Sequence, residues 1–483
     1  MAMKEDEPVR VQVPGEVSAQ LLSAVGGVAS DPRGQYAWVG FEWARNPYVI
    51  LITIYVFAPY FSAQVVGDPV RGQAIWGNIN GIGGAIIALL GPILGAIADK
   101  GGRRKPWIGC FVALMAVATY GMWFALPGDG GIGILGAAAL VIIANVAFEF
   151  SAVFHNSMLP YVAPTKRVAF LSGMGLALGN LSSLLILLFM LFAFMLPGLV
   201  DWSFLPAQAL FGLDVAAFEN SRIAGPIAAI WLLVFAVPLF LFTPDVAATG
   251  APAKDAVRDG IRNVIRTIRE LKDHRNVATY LIARMFYNDG KTAVLIFGGV
   301  YAAGVFSWGA LTLTIYGVIL SIFAVGGGFV GGWLDDRFGS RNAILISIGG
   351  TALGVVLAVS ITPQEIFFLS YDVASAEPLW SLPFFQTLPE VLYVSVVILI
   401  AIFITAAYAN SRTMLARIAP PEKMSEFFGL YALSGTATAF LGPLLVGVAT
   451  SVFESQRVGF SSVLLLLVGG MVIMLYVRDG RES

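Results

Sequence analysis

Gly95-Ala-Ile-Ala-Asp99-Lys-Gly-Gly102-Arg103-Arg104-Lys105 and Gly332-Trp-Leu-Asp-Asp336-Arg337-Phe-Gly339-Ser-Arg341 share one pattern, and their repeated aspartates lie 237 positions apart. In each, Asp follows Gly by four residues, a second Gly comes three later, and an Arg two after that. Each run closes a long apolar stretch. A polar turn duplicated between apolar spans predicts an all-α integral membrane protein made of two similar halves. Halves that can move against each other predict a transporter.

Composition agrees. Of 483 residues, 58% are hydrophobic and 12% charged, whereas soluble domains carry about a quarter charged residues. Residues 1–35 are polar and Pro-containing, with no apolar core before a cleavage site, and read as a cytoplasmic tail rather than a signal peptide. A single cysteine, Cys110, excludes an internal disulfide, and two separated histidines, His155 and His274, give no metal-ligand spacing. No metal or cofactor is therefore expected. No Gly-x-x-x-x-Gly-Lys-Ser/Thr loop is present to bind a nucleotide for direct ATP drive. A polytopic membrane enzyme is the distant alternative, and it lacks a cluster of paired carboxylates or histidines.

Apolar stretches of roughly 20 residues number about twelve, near 37–63, 73–98, 107–126, 132–157, 169–196, 222–243, 277–304, 309–335, 343–362, 391–411, 427–453 and 457–477. Alternate loops hold the cations: Lys100 to Lys105, Lys166 and Arg167, a segment from Lys254 to Arg275, Arg337 and Arg341, Arg412 to Lys423, then Arg478 and Arg481. The opposite loops have only Arg71, Arg222 and Arg457. The positive-inside rule puts both termini in the cytoplasm, in the cytoplasmic (inner) membrane. The long basic segment divides the spans six and six, giving bundles over 36–243 and 276–478, a linker over 244–275 and a tail over 479–483. In the linker Val257, Ile261, Val264, Ile268 and Leu271 share one helical face, which reads as an amphipathic helix on the membrane surface or a plain connector.

A second repeat supports the duplication. Ala163-Pro164, Gly173 and Gly179 recur as Ala419-Pro420, Gly429 and Gly435, each 256 positions on. Two parallel repeats of six helices are the architecture of the major facilitator superfamily. Asp99 and Asp336 sit at helix C-termini, where the helix dipole disfavours an anion, so each needs a cation or a helix N-terminus. Gly95, Gly102, Arg103, Arg104, Gly332, Arg337, Gly339 and Arg341 complete the two turns. They are read as an inner gate, a latch between the halves that forms in one state and breaks in the other.

Four segments carry a narrower likeness: Phe41-Glu-Trp-Ala-Arg-Asn46-Pro, Asp99-Lys-Gly-Gly-Arg-Arg-Lys-Pro106-Trp, Ala283-Arg-Met-Phe-Tyr-Asn288-Asp289-Gly290 and Glu426-Phe-Phe-Gly-Leu-Tyr431-Ala-Leu-Ser-Gly435. They resemble the vacuole-effluxer branch of the major facilitator superfamily, the autophagy-related amino-acid effluxers and their bacterial relatives. The resemblance implies a secondary active transporter of amino acids or short peptides, with export among its directions. A sugar or another small polar solute is the alternative substrate.

Ionisable groups inside a span are costly and mark function. In span seven Arg284, Asn288 and Lys291 share a face beside Asp289, and Asn288-Asp289-Gly290 signals a turn. In span one Glu42, Arg45 and Asn46 precede Pro47, which removes a backbone hydrogen bond. Helices interrupted at corresponding places in two halves point to a binding site. There Arg284 or Lys291 would attract the anionic end of a zwitterion, and Glu42 or Asp289 the cationic end. The competing reading is structural ion pairing, Asp289 with Lys291 or Arg284 and Glu42 with Arg45. In span four Asn145, Glu149 and Asn156, spaced by four and seven residues, line one face, and Glu149 in its apolar setting is a candidate for a coupling proton or for a salt bridge to Arg284. His155 reads as an interfacial side chain. The expected partners are a small polar solute, a coupling proton and the lipid bilayer, with no nucleic acid, and the chain is expected to act as a monomer.

Overall fold

The computed structural model describes residues 22–23, 28–100, 102–164, 167–200, 202–245, 258, 262, 269, 271–372, 377–419 and 424–479. Most of the amphipathic linker and of the N-terminal tail lies outside the described residues, as do residues 480–483. The fold is nearly all helical. In chain order the spans are α1 (Pro32–Val65), α2 (Pro69–Lys100), α3 (Lys105–Gly121), α4 (Gly133–Val162), α5 (Val168–Met190) and α6 (Ala224–Phe242). They continue as α7 (Arg275–Phe306), α8 (Ala310–Phe338), α9 (Ser340–Val359), α10 (Leu388–Ile418), α11 (Phe427–Phe453) and α12 (Gln456–Met474). Eleven are long and apolar enough to cross a bilayer, and α7, the twelfth, is a continuous helix of 32 residues.

Local chemistry sets the helix starts. Asp31 accepts the Gly34 amide at 2.8 Å and Pro32 opens α1. At α10 the Glu390 carboxylate accepts the Thr387 amide at 2.9 Å, with Pro389 in the first turn. Span one is regular only to Tyr48; it turns π-helical over Val49–Tyr55 and breaks at Val56, so the interruption expected at Pro47 falls more than two turns later. The turn expected at Asn288–Gly290 is not there. Inside a bilayer the backbone must satisfy itself, so helical hydrogen bonding overrides the turn signal. Gly290 serves packing instead: a Cβ there would lie 2.9 Å from Leu467. In this half the discontinuity is in α11, where Met424–Thr436 and Leu441–Phe453 flank turn residues 437–440. Pro443, in the first turn of the second piece, has no N–H for Ala439, which stops the helix there.

The two sets of six helices pack alike. α1 lies against α5 and α6, and α4 against α2 and α3; correspondingly α7 lies against α11 and α12, and α10 against α8 and α9. Between halves α2 lies against α11, α1 against α7 and α5 against α8. The ends of α1, α6, α7 and α12 share one rim, where Thr243 Oγ1 donates to the Gly34 carbonyl at 2.9 Å and the Asn276 amide to that of Arg478 at 2.9 Å. We call this the terminal face and its opposite the distal face.

Candidate functional site

On α2, Gly77, Gly81 and Gly84 form a stripe of small residues, the device by which membrane helices approach closely. A Cβ at Gly77 would lie 2.5 Å from Gly447 on α11, and one at Gly84 would lie 2.9 Å from Phe440. Toward the distal face this seam is sealed by Gln73, whose amide donates to Thr450 Oγ1 (2.9 Å) and to the Gln456 carbonyl (3.1 Å). Tyr55 of α1 meets Tyr316 of α8 edge-on at 5.8 Å. Toward the terminal face the seam opens: a Cβ at Gly91 or Gly95 would meet nothing within 4 Å. The molecule is closed at its distal face.

The duplicated turns sit on the terminal face. Gly102 and Gly339 both take positive φ, 83° and 80°, which explains that repeated position. The rest departs from the expected latch. Asp336 and Arg337 are exposed, and the neighbouring Asp335 takes the buried place, 2.9 Å from Arg417 Nη2 and bonded by Ser340 Oγ at 2.7 Å. Adjacent helical residues point about 100° apart, so only one of two successive aspartates can face the bundle. Arg417 belongs to the same half as Asp335, so this pair does not join the halves. Gly332, like Gly95, faces open space. Arg103 is exposed, while Arg104 is buried inside its own half: its amide donates to Asp245 (2.8 Å), its Nε to Ser157 Oγ (2.8 Å), and it stacks on Tyr161. Arg341 donates to the Leu475 carbonyl at 2.7 Å, again within one half. The Asp99 side chain lies outside the described residues.

In the N-terminal half, Glu42 is ten residues into α1, about 15 Å from the terminal face at 1.5 Å per residue. Arg45 grips its Oε2 through Nε (3.1 Å) and Nη2 (3.0 Å), and Asn46 adds a weaker bond at 3.4 Å. The guanidinium also lies over the Phe148 ring at 4.4 Å. Behind them α5 presses in at Gly179, where any side chain would collide with Asn46. His155 is fully buried rather than interfacial, stacked on Trp38 at 4.4 Å, with Nδ1 3.5 Å from Glu42 Oε1. Asn145 belongs to a different chain of bonds, accepting from Tyr48 OH (2.8 Å) and donating to Asn80 Oδ1 (3.2 Å). Glu149 lies within electrostatic reach of Arg45 and Glu42. It is not paired with Arg284, whose guanidinium is held on α11.

The C-terminal half carries Arg284, Asn288, Asp289 and Lys291 on α7, each 9% exposed or less. Arg284 Nη1 donates to the Tyr431 carbonyl and to Ser434 Oγ, both at 2.7 Å, and its plane lies 3.6 Å from the Tyr431 ring. Lys291 Nζ makes no hydrogen bond among the described residues; it sits 3.6 Å from the centre of the Tyr408 ring. Asp289 Oδ2, Arg284 Nε and Asn410 Nδ2 are also without partners among the described residues. No ion pair joins Asp289 to Lys291 or Arg284 there. Sequence reasoning missed Tyr408, Asn410 and the α11 break. Gly442-Pro443 was the one signal available for the last.

The comparisons with known proteins agree with this architecture. Residues 61–482 match the model of the family described as vacuole effluxer Atg22 like. An uncharacterized MFS-type transporter, YxiO of Bacillus subtilis, is 24% identical over 454 residues, covering 93% of this chain and 96% of that protein. Autophagy-related protein 22 of Saccharomyces cerevisiae is 21% identical, covering 80% of this chain and 74% of its own. Among solved structures, a point mutant of the nucleoside transporter NupG superposes with a TM-score of 0.61 at 13% identity, covering 92% of this chain and 98% of that one. The chain is a multi-pass membrane transporter of a small solute, with the major facilitator fold, and it belongs to the Atg22-like vacuole effluxer family.

Proposed function

We propose that the protein moves amino acids or short peptides by alternating access, with the solute carboxylate held by Lys291 and Arg284. One observation carries this: a fully buried lysine nitrogen that faces an aromatic ring and has no hydrogen-bond acceptor among the described residues. A cation–π contact offsets about 2 kcal/mol when desolvated, less than an uncompensated buried charge costs. An anionic ligand group would supply the difference. Asp289, whose Oδ2 has no hydrogen-bond partner among the described residues, would take the solute ammonium. Autophagy-related protein 22 relatives and the name vacuole effluxer favour export.

The turn residues Gly95, Asp99, Gly102, Arg103, Arg104, Gly332, Asp336, Arg337, Gly339 and Arg341 would close the terminal face in the opposite state, after the distal seam opens. The cation-rich loops favour a cytoplasmic terminal face and cytoplasmic termini. A thermal-shift screen of purified protein against amino acids, peptides and sugars tests the substrate, with Lys291→Ala as control. Stabilisation by amino acids in the wild type alone supports the reading. Stabilisation of both forms by sugars moves the assignment to that class.

A further inference from the structure

His155 has two ring nitrogens in different surroundings, and their chemistry fixes a proton count. Nε2 lies 2.8 Å from the Trp38 carbonyl oxygen, which can only accept, so Nε2 carries a hydrogen. In the neutral ring Nδ1 is then a lone pair. It is buried, has no hydrogen-bond partner among the described residues, and faces Glu42 Oε1 at 3.5 Å. Glu42 accepts from Arg45 and Asn46 through Oε2, which suits the ionised carboxylate. A lone pair against a carboxylate oxygen is repulsive. One proton on Nδ1 turns it into a charge-assisted contact.

Among the described residues the charged groups at this cluster are Glu42 and Arg45 on α1 and Glu149 on α4, the helix that also carries His155. From α5, Gly175 and Gly179 come up against Glu42 and Asn46. The next cation is Arg104, just before α3, whose Nε is held on Ser157, two residues along α4 from His155.

We infer that His155 and Glu42 form a proton-binding site, with the exchangeable proton on His155 Nδ1, and that this proton is the coupling ion. Its role as coupling ion rests on the transport reading above, but the site itself does not. Release of the proton re-creates the repulsion between Nδ1 and Glu42, so occupancy is tied to the packing of α1 against α4 and α5.

The chain has two histidines, so protein labelled with nitrogen-15 in its imidazoles gives two ring spin systems, and His274→Gln assigns them. The wild type should show His155 protonated on both nitrogens near neutral pH. In Glu42→Gln, whose amide can donate to Nδ1, the ring should be neutral with hydrogen on Nε2 alone. A wild-type ring that is neutral near neutral pH overturns the proposal, and so does the same ring state in both proteins. The wild-type spectrum decides even if the variant does not fold. In proteoliposomes His155→Gln should retain solute counterflow and lose uptake driven by a pH gradient. Gradient-driven uptake retained in His155→Gln contradicts the coupling role. Absence of amino-acid counterflow in the wild type, beside a doubly protonated ring, refutes the substrate assignment and leaves the proton site standing.

Discussion

The polar clusters of the two halves occupy related places and are finished differently. Glu42 and Arg284 both lie about a third of the way along the first helix of their half, each backed by a repeated glycine, Gly179 near Asn46 and Gly435 near the Arg284 guanidinium. Trp38 Nε1 donates to the His155 carbonyl at 2.9 Å, and Tyr280 OH likewise reaches the carbonyl of Ser411, 256 positions beyond His155. From there they diverge. The N-terminal cluster pairs its acid with Arg45 and leaves only His155 Nδ1 unpartnered among the described residues, whereas the C-terminal one leaves Lys291, Asp289 and Asn410 with unpartnered atoms and no ion pair there. On the proposed reading, one half is organised around an ion pair and the other would take a ligand. A duplicated scaffold can thus divide ion handling and solute binding between its copies.

The sharpest way to break this contrast is to remove one charge from each side and compare the signs. Arg45→Met should destabilise the protein by about 3–5 kcal/mol, because Glu42 and Glu149 lose their guanidinium in a buried setting; thermal unfolding in detergent checks it. Lys291→Met should do the reverse in the absence of solute, raising stability by about 1 kcal/mol or more, since an unpaired buried charge gives way to an apolar chain of similar length. If both substitutions destabilise alike, the two halves are not different in the way described.

Smaller effects concern the gate. Gln73→Ala removes the hydrogen bonds that seal the distal seam, about 1 kcal/mol each, and should shift the population toward the distal-open state. Spin-label distances between distal loops of α2 and α11 would read that shift. Asp335→Asn should cost about 1 kcal/mol through the half-shielded Arg417 pair. Asp336→Asn, at an exposed position, should leave thermal stability unchanged and alter transport only if the acid acts in the opposite state.

How much of this was legible follows from what hydropathy encodes. All twelve spans were visible, because bilayer thickness and backbone self-satisfaction leave few ways to read an apolar run. The repeated Gly102 and Gly339 were visible because a positive φ nearly demands glycine. Which of Asp335 and Asp336 turns inward was not, since a rotation of one residue decides it and only neighbouring helices set that rotation. The Asn288–Gly290 turn misled for a related reason: local propensity is weaker than the requirement to bond every amide within the membrane. The ring of His155 lies against Trp38 by a contact spanning 117 residues, which no local pattern announces.

Lys291 as the anchor of a solute carboxylate is the central claim. Calorimetric titration of purified wild type and Lys291→Met with the amino acid that stabilises the protein most tests it directly. The wild type should bind, and the variant should lose at least about 3 kcal/mol, roughly a hundredfold in affinity. Equal affinity in the two proteins would contradict the assignment.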